Sequence, residues 1–551
     1  MITLVLIGVI ILPIIYFLSK TIKIKKIENT NEYFIANKKI KQYDFIDTTV
    51  AYGYQVAAIS LFAAWGYIYG FWTILVPIFW GLGYYLLIQL NKKGYLEKFI
   101  QSSDGLTIHG YLGEKYKSKR IIRIAAFASM LGLSGTAFFE AEFTSTLITT
   151  ANSTQTYESY FIILFVFFIL VALIYILRGG FKAIVDTDKI QLKIGFIGLT
   201  IFIAITFNKI IWNGYVYSGM IFNLLTLICY AYLLYKIKKL NKIISSNTKD
   251  SRITISIALS IISIGFIVGL IKCLNTTPTD SFSYFFSSNK FEDIFALGFL
   301  PIVSLLLANG LWQIVDISNW QRLSSLNVEG SEYKEHLNKS FGFIGIYSPV
   351  TWLIAIFLGM SIKYLGIDFA NGWNTLPELA QVYLNAGNIW NITYILIFII
   401  ALESIMFSTL DTLILAISYT TYYDIILVGD IKNNRSLFEA RMWTILYTVI
   451  FFIIYLFVRF NVNGIDNILY TFYSFQLSLF PAILWMLFSK EINKLAGYGS
   501  ILFGMMVCII PLFVNSELIN PYSSAATFAI IGSTFIYYLL SKIKKYNLAN
   551  D

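Results

Sequence analysis

Apolar runs recur along the whole chain, each near the 20 or so residues that carry a helix across a roughly 30 Å hydrocarbon layer, with short polar stretches between them. By apolar length about fifteen spans are predicted: 2–19, 46–68, 70–91, 122–150, 159–178, 187–208, 214–237, 252–272, 292–318, 341–365, 389–427, 438–459, 465–488, 496–514 and 522–542. No stretch is left over for a soluble domain. The run Ile2 to Leu18 lacks a preceding basic segment and a following small-residue cleavage site, so a retained span is expected and not a signal peptide. The pattern is that of an all-α polytopic membrane protein.

Polar residues between the spans are sorted by charge. With the N-terminus outside and the C-terminus cytoplasmic, the inner connections hold KTIKIKKIENTNEYFIANKKIK, NKKGYLEKF, EKYKSKR, KIKKLNKIISSNTKDSR and SKIKKYNLAND. The outer ones, such as NSTQTYES and GIDFANGWNTLPELAQVYLNAGN, contain almost no lysine or arginine, as the positive-inside rule requires. The net charge of +10 is therefore divided among short loops, which excludes a nucleic-acid surface and fits a bilayer, with a bacterial plasma (inner) membrane expected.

Over 551 residues the chain is 57% hydrophobic and only 13% charged, with mean hydropathy +0.69, outside the range of soluble domains. Cys229, Cys273 and Cys508 are too few and scattered for a disulfide framework or a thiolate metal site. His109 and His336 fall in polar connections, and no phosphate-binding glycine loop or H-E-x-x-H pattern occurs. No enzyme is expected.

Two spans are interrupted. The second contains AYGYQVAAIS, with Tyr52, Gly53, Tyr54 and Gln55; the ninth contains LANGLWQIVDIS, with Asn309, Gly310, Gln313 and Asp316. Glycine releases the backbone from helical geometry, and the freed polar groups survive at membrane depth only where protein or a water-filled cavity surrounds them. Interruptions at corresponding places of two halves point to inverted repeats around a mid-membrane site. The repeats are then 46–208 and 292–488, with the pair 214–272 inserted between them and 496–542 added at the end.

These residues resemble the sodium/solute symporter family. NEYFIANKKI is similar to its lead-in to the first core helix, and GGFKAIVDTDKIQ to the opening of its fifth. Asn309, Trp312 and Gln321-Arg322 resemble its sixth core helix, and SIMFSTLDTLILAISYTTYYDI its eighth. The resemblance covers about residues 30 to 490 and implies a LeuT-type 5+5 inverted repeat that couples sodium to import of a small solute. It implies a central sodium ion held by the carbonyls of Ala51, Tyr54 and Ile405 and the hydroxyls of Ser408 and Thr409. A second site, present in some members, falls on Asp188, Asp411 and Thr412. Neutral oxygens suit a hard monovalent cation, and Ser408, Asp411 and Thr412 share one helical face. The hydroxyls can also bond back to the preceding turn, whereas a carboxylate at that depth demands a cation, a proton or a donor. Asp186, Thr187 and Asp188 stand at an expected helix start, where an acidic cap is ordinary.

Glu140, Glu142, Asp316 and Glu403 are further acids at membrane depth, and Lys182, Lys189 and Arg322 are placed to neutralise some of them. Where sugar-transporting members carry polar contacts, this chain has Ala57, Ala58 and Pro77. Asn309 matches a pocket asparagine and Trp312 an aromatic gate. A pocket of Tyr52, Trp65, Asn309, Trp312 and Asp316 suits an amino acid, osmolyte or organic cation better than a sugar. Asp186 stands where the family has tryptophan, and with Lys189 it leaves proton coupling through Asp188 and Asp411 as an alternative. A transporter-like sensor is the reading from another class.

Overall fold

The computed structural model describes residues 27–102, 107–151, 157–241, 249–288, 298–327, 333–367, 369, 374–429, 436–461, 465–489, 492–509 and 526–543, with positions 8, 11, 13–16 and 19. The expected span 2–19 lies largely outside them. The described residues form helices joined by tight turns, with one isolated parallel bridge, Ile40 to Leu326.

A short helix α1 (Thr30–Ile35) leads into a broken pair, α2 (Gln42–Gly53) and α3 (Val56–Tyr69). The break falls where the polar cluster of the second span predicts: Tyr54 leaves helical geometry (φ −94°, ψ 50°) and Gln55 is extended. The tight connection after Tyr67 is made by Gly70 at φ 73°, which swings the chain into α4 (Leu75–Lys92). Two short helices follow, α5 (Tyr95–Ser102) and α6 (Ile108–Tyr116), then α7 (Lys119–Ala151).

α8 (Tyr157–Trp212) holds 56 residues, about 84 Å at 1.5 Å per residue and far more than one bilayer crossing. It is two passes joined at Gly180 (φ 51°, ψ −149°), a conformation only glycine adopts without strain. A Cβ there would stand 2.4 Å from the Tyr33 carbonyl oxygen, so the lead-in rests directly on the turn. Because the helix resumes just after Gly180, Asp188 lies about two turns inside it. The expectation of a capping role for Asp188 is thereby corrected.

The inserted pair is α9 (Val216–Asn241) and α10 (Lys249–Asn275), packed against the second limb of α8, and α11 (Phe282–Ser288) follows. The second broken pair is α12 (Phe299–Val315) and α13 (Ile317–Ser325). Its break is at Asp316 and not around Gly310. Gly310 stays helical, while Asp316 is extended and its Oδ1 accepts the Ser318 N–H at 2.9 Å. The freed carbonyls are satisfied from elsewhere: Ile314 by the Trp320 indole at 2.8 Å and Val315 by Gln476 at 2.9 Å.

The chain continues through α14 (Tyr333–Ile362), α15 (Thr375–Asn385) and α16 (Ile389–Thr420), which ends in a π-turn at Thr421–Ile426. The remaining helices are α17 (Leu437–Asn461), α18 (Ile465–Leu477), α19 (Phe480–Phe488), α20 (Lys494–Ile509) and α21 (Ser533–Lys542). Ten segments among the described residues are long and apolar enough to cross a membrane. The expected count is higher because Val56–Lys92 and Tyr160–Trp212 each make two passes, and Lys494–Ile509 and Phe528–Lys542 are shorter apolar helices. On that basis every expected span from 46–68 onward meets a helical segment.

α3 and α14 cross at backbone contact. A Cβ on Gly359 would stand 1.8 Å from the Ala63 carbonyl oxygen, and one on Gly66 would stand 2.3 Å from that of Ile356. Small residues permit such an approach where apolar burial alone gives helices in lipid little reason to associate.

Candidate functional site

Residues gather in three layers around the two breaks. The uppermost is a small, partly open pocket of about 50 Å³, walled by Phe62, Trp65, Trp80, Trp352 and Tyr473. Ala57, Ala58 and Leu61 add apolar surface, and the polar contribution is limited to Gln55, Thr136 and Asn309. The rings brace one another: Trp80 lies 4.5 Å from Trp352 by ring centres, and Phe62 stacks on Trp352 at 4.8 Å. Of the five residues expected to contact a solute, Asn309 and Trp65 line this cavity. Trp312 instead stacks at 3.6 Å on Tyr473, supporting the wall from behind. Asp316 caps α13, and Tyr52 lies under Arg322, whose guanidinium carbon is 4.5 Å from the ring centre.

The middle layer is the break of the first pair. The two carboxylate oxygens of Glu140, from α7, accept the N–H groups of Val56 at 2.9 Å and Ala57 at 3.0 Å. These are the first free donors of α3, which a helix start must satisfy. On the other side of the break, the Trp352 indole donates to the Gly53 carbonyl at 3.0 Å, and the Tyr54 N–H returns to Ala51 at 3.1 Å. The acid is therefore the cap of a half-helix, a role its sequence neighbours give no hint of.

The lowest layer carries the ion candidates. Asp188, fully buried, takes a hydrogen bond from Ser408 at 2.6 Å on one oxygen and another from Thr48 on the other. Asp411 accepts from the Tyr175 hydroxyl, which also reaches the Phe407 carbonyl at 3.2 Å. Arg322, itself buried, donates to the Ser318 carbonyl at 3.2 Å and to the Thr412 hydroxyl at 3.3 Å. Thr409 turns back to Ile405, at 3.4 Å. A hydrogen bond from Ser408 to Asp188 joins the expected upper pair, Ser408 and Thr409, to the lower trio, Asp188, Asp411 and Thr412. Asp188 accepts from the Ser408 and Thr48 hydroxyls, while the Thr412 hydroxyl accepts from Arg322. α2, which carries Ala51, packs against α16, which carries Ile405.

The expected neutralisation by lysines is also redrawn. Lys189 pairs closely with Asp44 and stands 3.9 Å from Asp186, and Lys182 pairs with Asp186 at 2.6 Å. Glu142 is instead held by Arg459 at 2.5 Å and by Tyr455, both on α17. Glu403 is buried with neither oxygen bonded to a described residue.

Sequence reasoning missed Thr48, Tyr175, Trp80, Trp352 and Tyr473. Thr48 alone carried a signal, since it stands three residues before Ala51 on the same face of α2. It also placed His109 in a polar connection. His109 is fully buried on α6, with Nδ1 2.9 Å from Asp424 and Nε2 2.8 Å from Ser129. Among the described residues, no group of three or more His, Cys, Asp and Glu side chains is placed to hold a metal ion.

No protein-family profile matches the chain, and no curated protein matches it. Among solved structures it is similar to the substrate-bound outward-open state of a Na+-coupled sialic acid symporter. The identity is 13%, the match covers 98% of this chain and 97% of that one, and the TM-score is 0.61. A weaker likeness, TM-score 0.44 at 11% identity over 93% of this chain and 94% of the other, is to Mhp1, a nucleobase-cation-symport-1 family transporter in a closed conformation with bromovinylhydantoin bound. The chain is an all-α membrane protein with the LeuT-type fold.

Proposed function

We propose that the protein is a sodium-coupled symporter, of the kind found in the sodium/solute symporter family, that imports a small organic solute by alternating access. The observation that carries this reading is the meeting of Thr48, Asp188 and Ser408. One buried carboxylate and two hydroxyls from three helices, one of them the broken helix, offer a hard cation a set of oxygens at membrane depth. Sodium bound there, with the Ala51, Tyr54 and Ile405 carbonyls and Thr409 completing the shell, ties α2 to α16 and biases the equilibrium between outward- and inward-facing states. Asp411 and Thr412 stand one turn further along α16 and form a second candidate layer.

The solute would occupy the aromatic cavity, where Asn309 and Trp65 lie. Its walls favour an amino acid, an osmolyte or an organic cation. The fold relative that binds sialic acid weighs towards a sugar, whereas Ala57, Ala58 and three tryptophans supply few hydroxyl partners. Proton coupling is the second reading, favoured by the bond between Tyr175 and Asp411 beside Asp188 and Arg322.

Binding of radioactive sodium to the purified chain, wild type against Ser408→Ala, tests the leading reading. The expected result is saturable binding that Ser408→Ala weakens at least about tenfold, the order of a lost hydrogen bond to a charged group. Unchanged sodium binding in that variant rejects the site. Uptake that follows pH but ignores sodium, and that Asp411→Asn abolishes, favours the proton.

A further inference from the structure

The second helix of the inserted pair, α10, packs along the second limb of α8, and its first turns reach the broken helix, where the Ser251 hydroxyl donates to Asp47 at 3.3 Å. Beside that contact lies a partly open pocket of about 220 Å³, against about 50 Å³ for the aromatic one. It has room for several water molecules. Four helices wall it: α2 supplies Asp47, the second limb of α8 supplies Lys189 and Leu192, α10 supplies Ser251 and Thr254, and α14 supplies Tyr347.

The lining passes from the half-buried Asp47, Lys189 and Ser251 to the buried Leu192, Thr254 and Tyr347, so the pocket leads from the surface into the bundle. At its inner end it adjoins the layer of ion candidates. Asp47 precedes Thr48, whose hydroxyl bonds Asp188, and Leu192 stands one turn beyond Asp188 on the same face of α8. At its outer end, α10 follows a lysine-rich connection, which the positive-inside rule puts in the cytoplasm.

Resting on the symporter reading above, we propose that this pocket is the cytoplasmic route of the coupling cation, with the inserted pair as one of its walls. A hydrated monovalent cation passing from Asp188 meets the Asp47 carboxyl and the Ser251 and Thr254 hydroxyls, oxygens of the kind that hold it inside. Lys189, and Lys193 one turn on, line the same pocket and keep the hold weak, as release requires. The inserted pair is then part of the transport path as well as a support for α8.

The test uses the full chain in membrane vesicles, with Cys229, Cys273 and Cys508 replaced by serine and Leu192→Cys as the target. The probes are membrane-impermeant methanethiosulfonates, one positively and one negatively charged, because thiol labelling follows access. The positive reagent is expected to label at least about tenfold faster from the cytoplasmic face than from the other. Thr254→Trp, which fills the pocket from the inserted helix alone, is expected to slow that labelling by a similar factor, and Ser251→Trp serves if it does not fold. Corrected for their rates with free cysteine, the positive reagent is expected to react faster than the negative one. Sodium is expected to slow the labelling and to have no effect once Asp188→Asn is added. The proposal is overturned if labelling is equal from the two faces, if neither folded tryptophan variant slows it, or if the negative reagent leads. One-sided labelling that the tryptophan blocks but sodium does not change leaves the route standing and removes the sodium-coupled reading instead.

Discussion

The hydroxyl of Ser408 stands 2.6 Å from the Asp188 carboxylate, joining α16 to the second limb of α8, and Thr48 brings α2 to the same group. A sodium ion bound there, as proposed, would reverse the roles. The hydroxyl oxygens, now donors to the carboxylate, would turn their lone pairs to the ion. Binding and the relative placement of three helices are then one event.

Asp188→Asn keeps the shape and removes the charge. Sodium is expected to raise the Tm of the wild type above its value in potassium, and the variant is expected to lose that difference. Thermal unfolding in the two salts is the measurement, and a retained sodium advantage sinks the role of Asp188.

Gly359→Ala pushes a methyl group into the Ala63 backbone, and overpacking of that kind costs about 1–3 kcal/mol. At Gly342, in the same helix, an added methyl would meet only the tip of Ile88, 3.9 Å away. Gly342→Ala is therefore expected to be neutral or to stabilise slightly, by about 0.4–1 kcal/mol. Equal Tm values for the two variants would contradict the backbone contact between α3 and α14.

Much of this arrangement was legible because lipid imposes it. Apolar length marked out the spans, and the cluster around Gly53 marked the first break, since exposed polar backbone there has few alternatives. The second interruption was legible as a stretch, and the structure narrows it: helical packing accommodates Gly310, and Asp316, six residues later, makes the break and supplies the cap. Glu140 was legible as a buried acid but not as a cap: its partners are 84 and 83 residues away and are backbone groups, which every residue carries. The same holds for His109 and Asp424, 315 residues apart.

Arg459→Met leaves the buried Glu142 carboxylate with Tyr455 alone. The loss is expected to be about 2 kcal/mol, below the roughly 3–5 kcal/mol of a fully buried pair, because Arg459 is 32% exposed. The double variant Glu142→Leu with Arg459→Met is expected to recover most of it. Additive losses across the double-mutant cycle would show that the pair does not interact.

His109→Ala removes the imidazole that bridges the Ser129 hydroxyl and the Asp424 carboxylate, leaving one Asp424 oxygen to Thr107 and the other without its partner. Loss of a partner to a buried group costs about 1–3 kcal/mol. Hydrogen exchange is expected to quicken in the π-turn Thr421–Ile426, while the middle of α16 stays protected. Unaltered exchange in the π-turn would argue that α6 does not hold it.

The two bonds from Glu140 have a mechanical side. They fasten the lower end of α3 to α7 at a single point, while the chain just before that point, at Tyr54 and Gln55, is not helical. A rod fastened at its start beside a break in the helix can swing but cannot slide. Opening and closing of the cavity would then be a pivot about Glu140 in which α14, in backbone contact at Gly66 and Gly359, travels with α3.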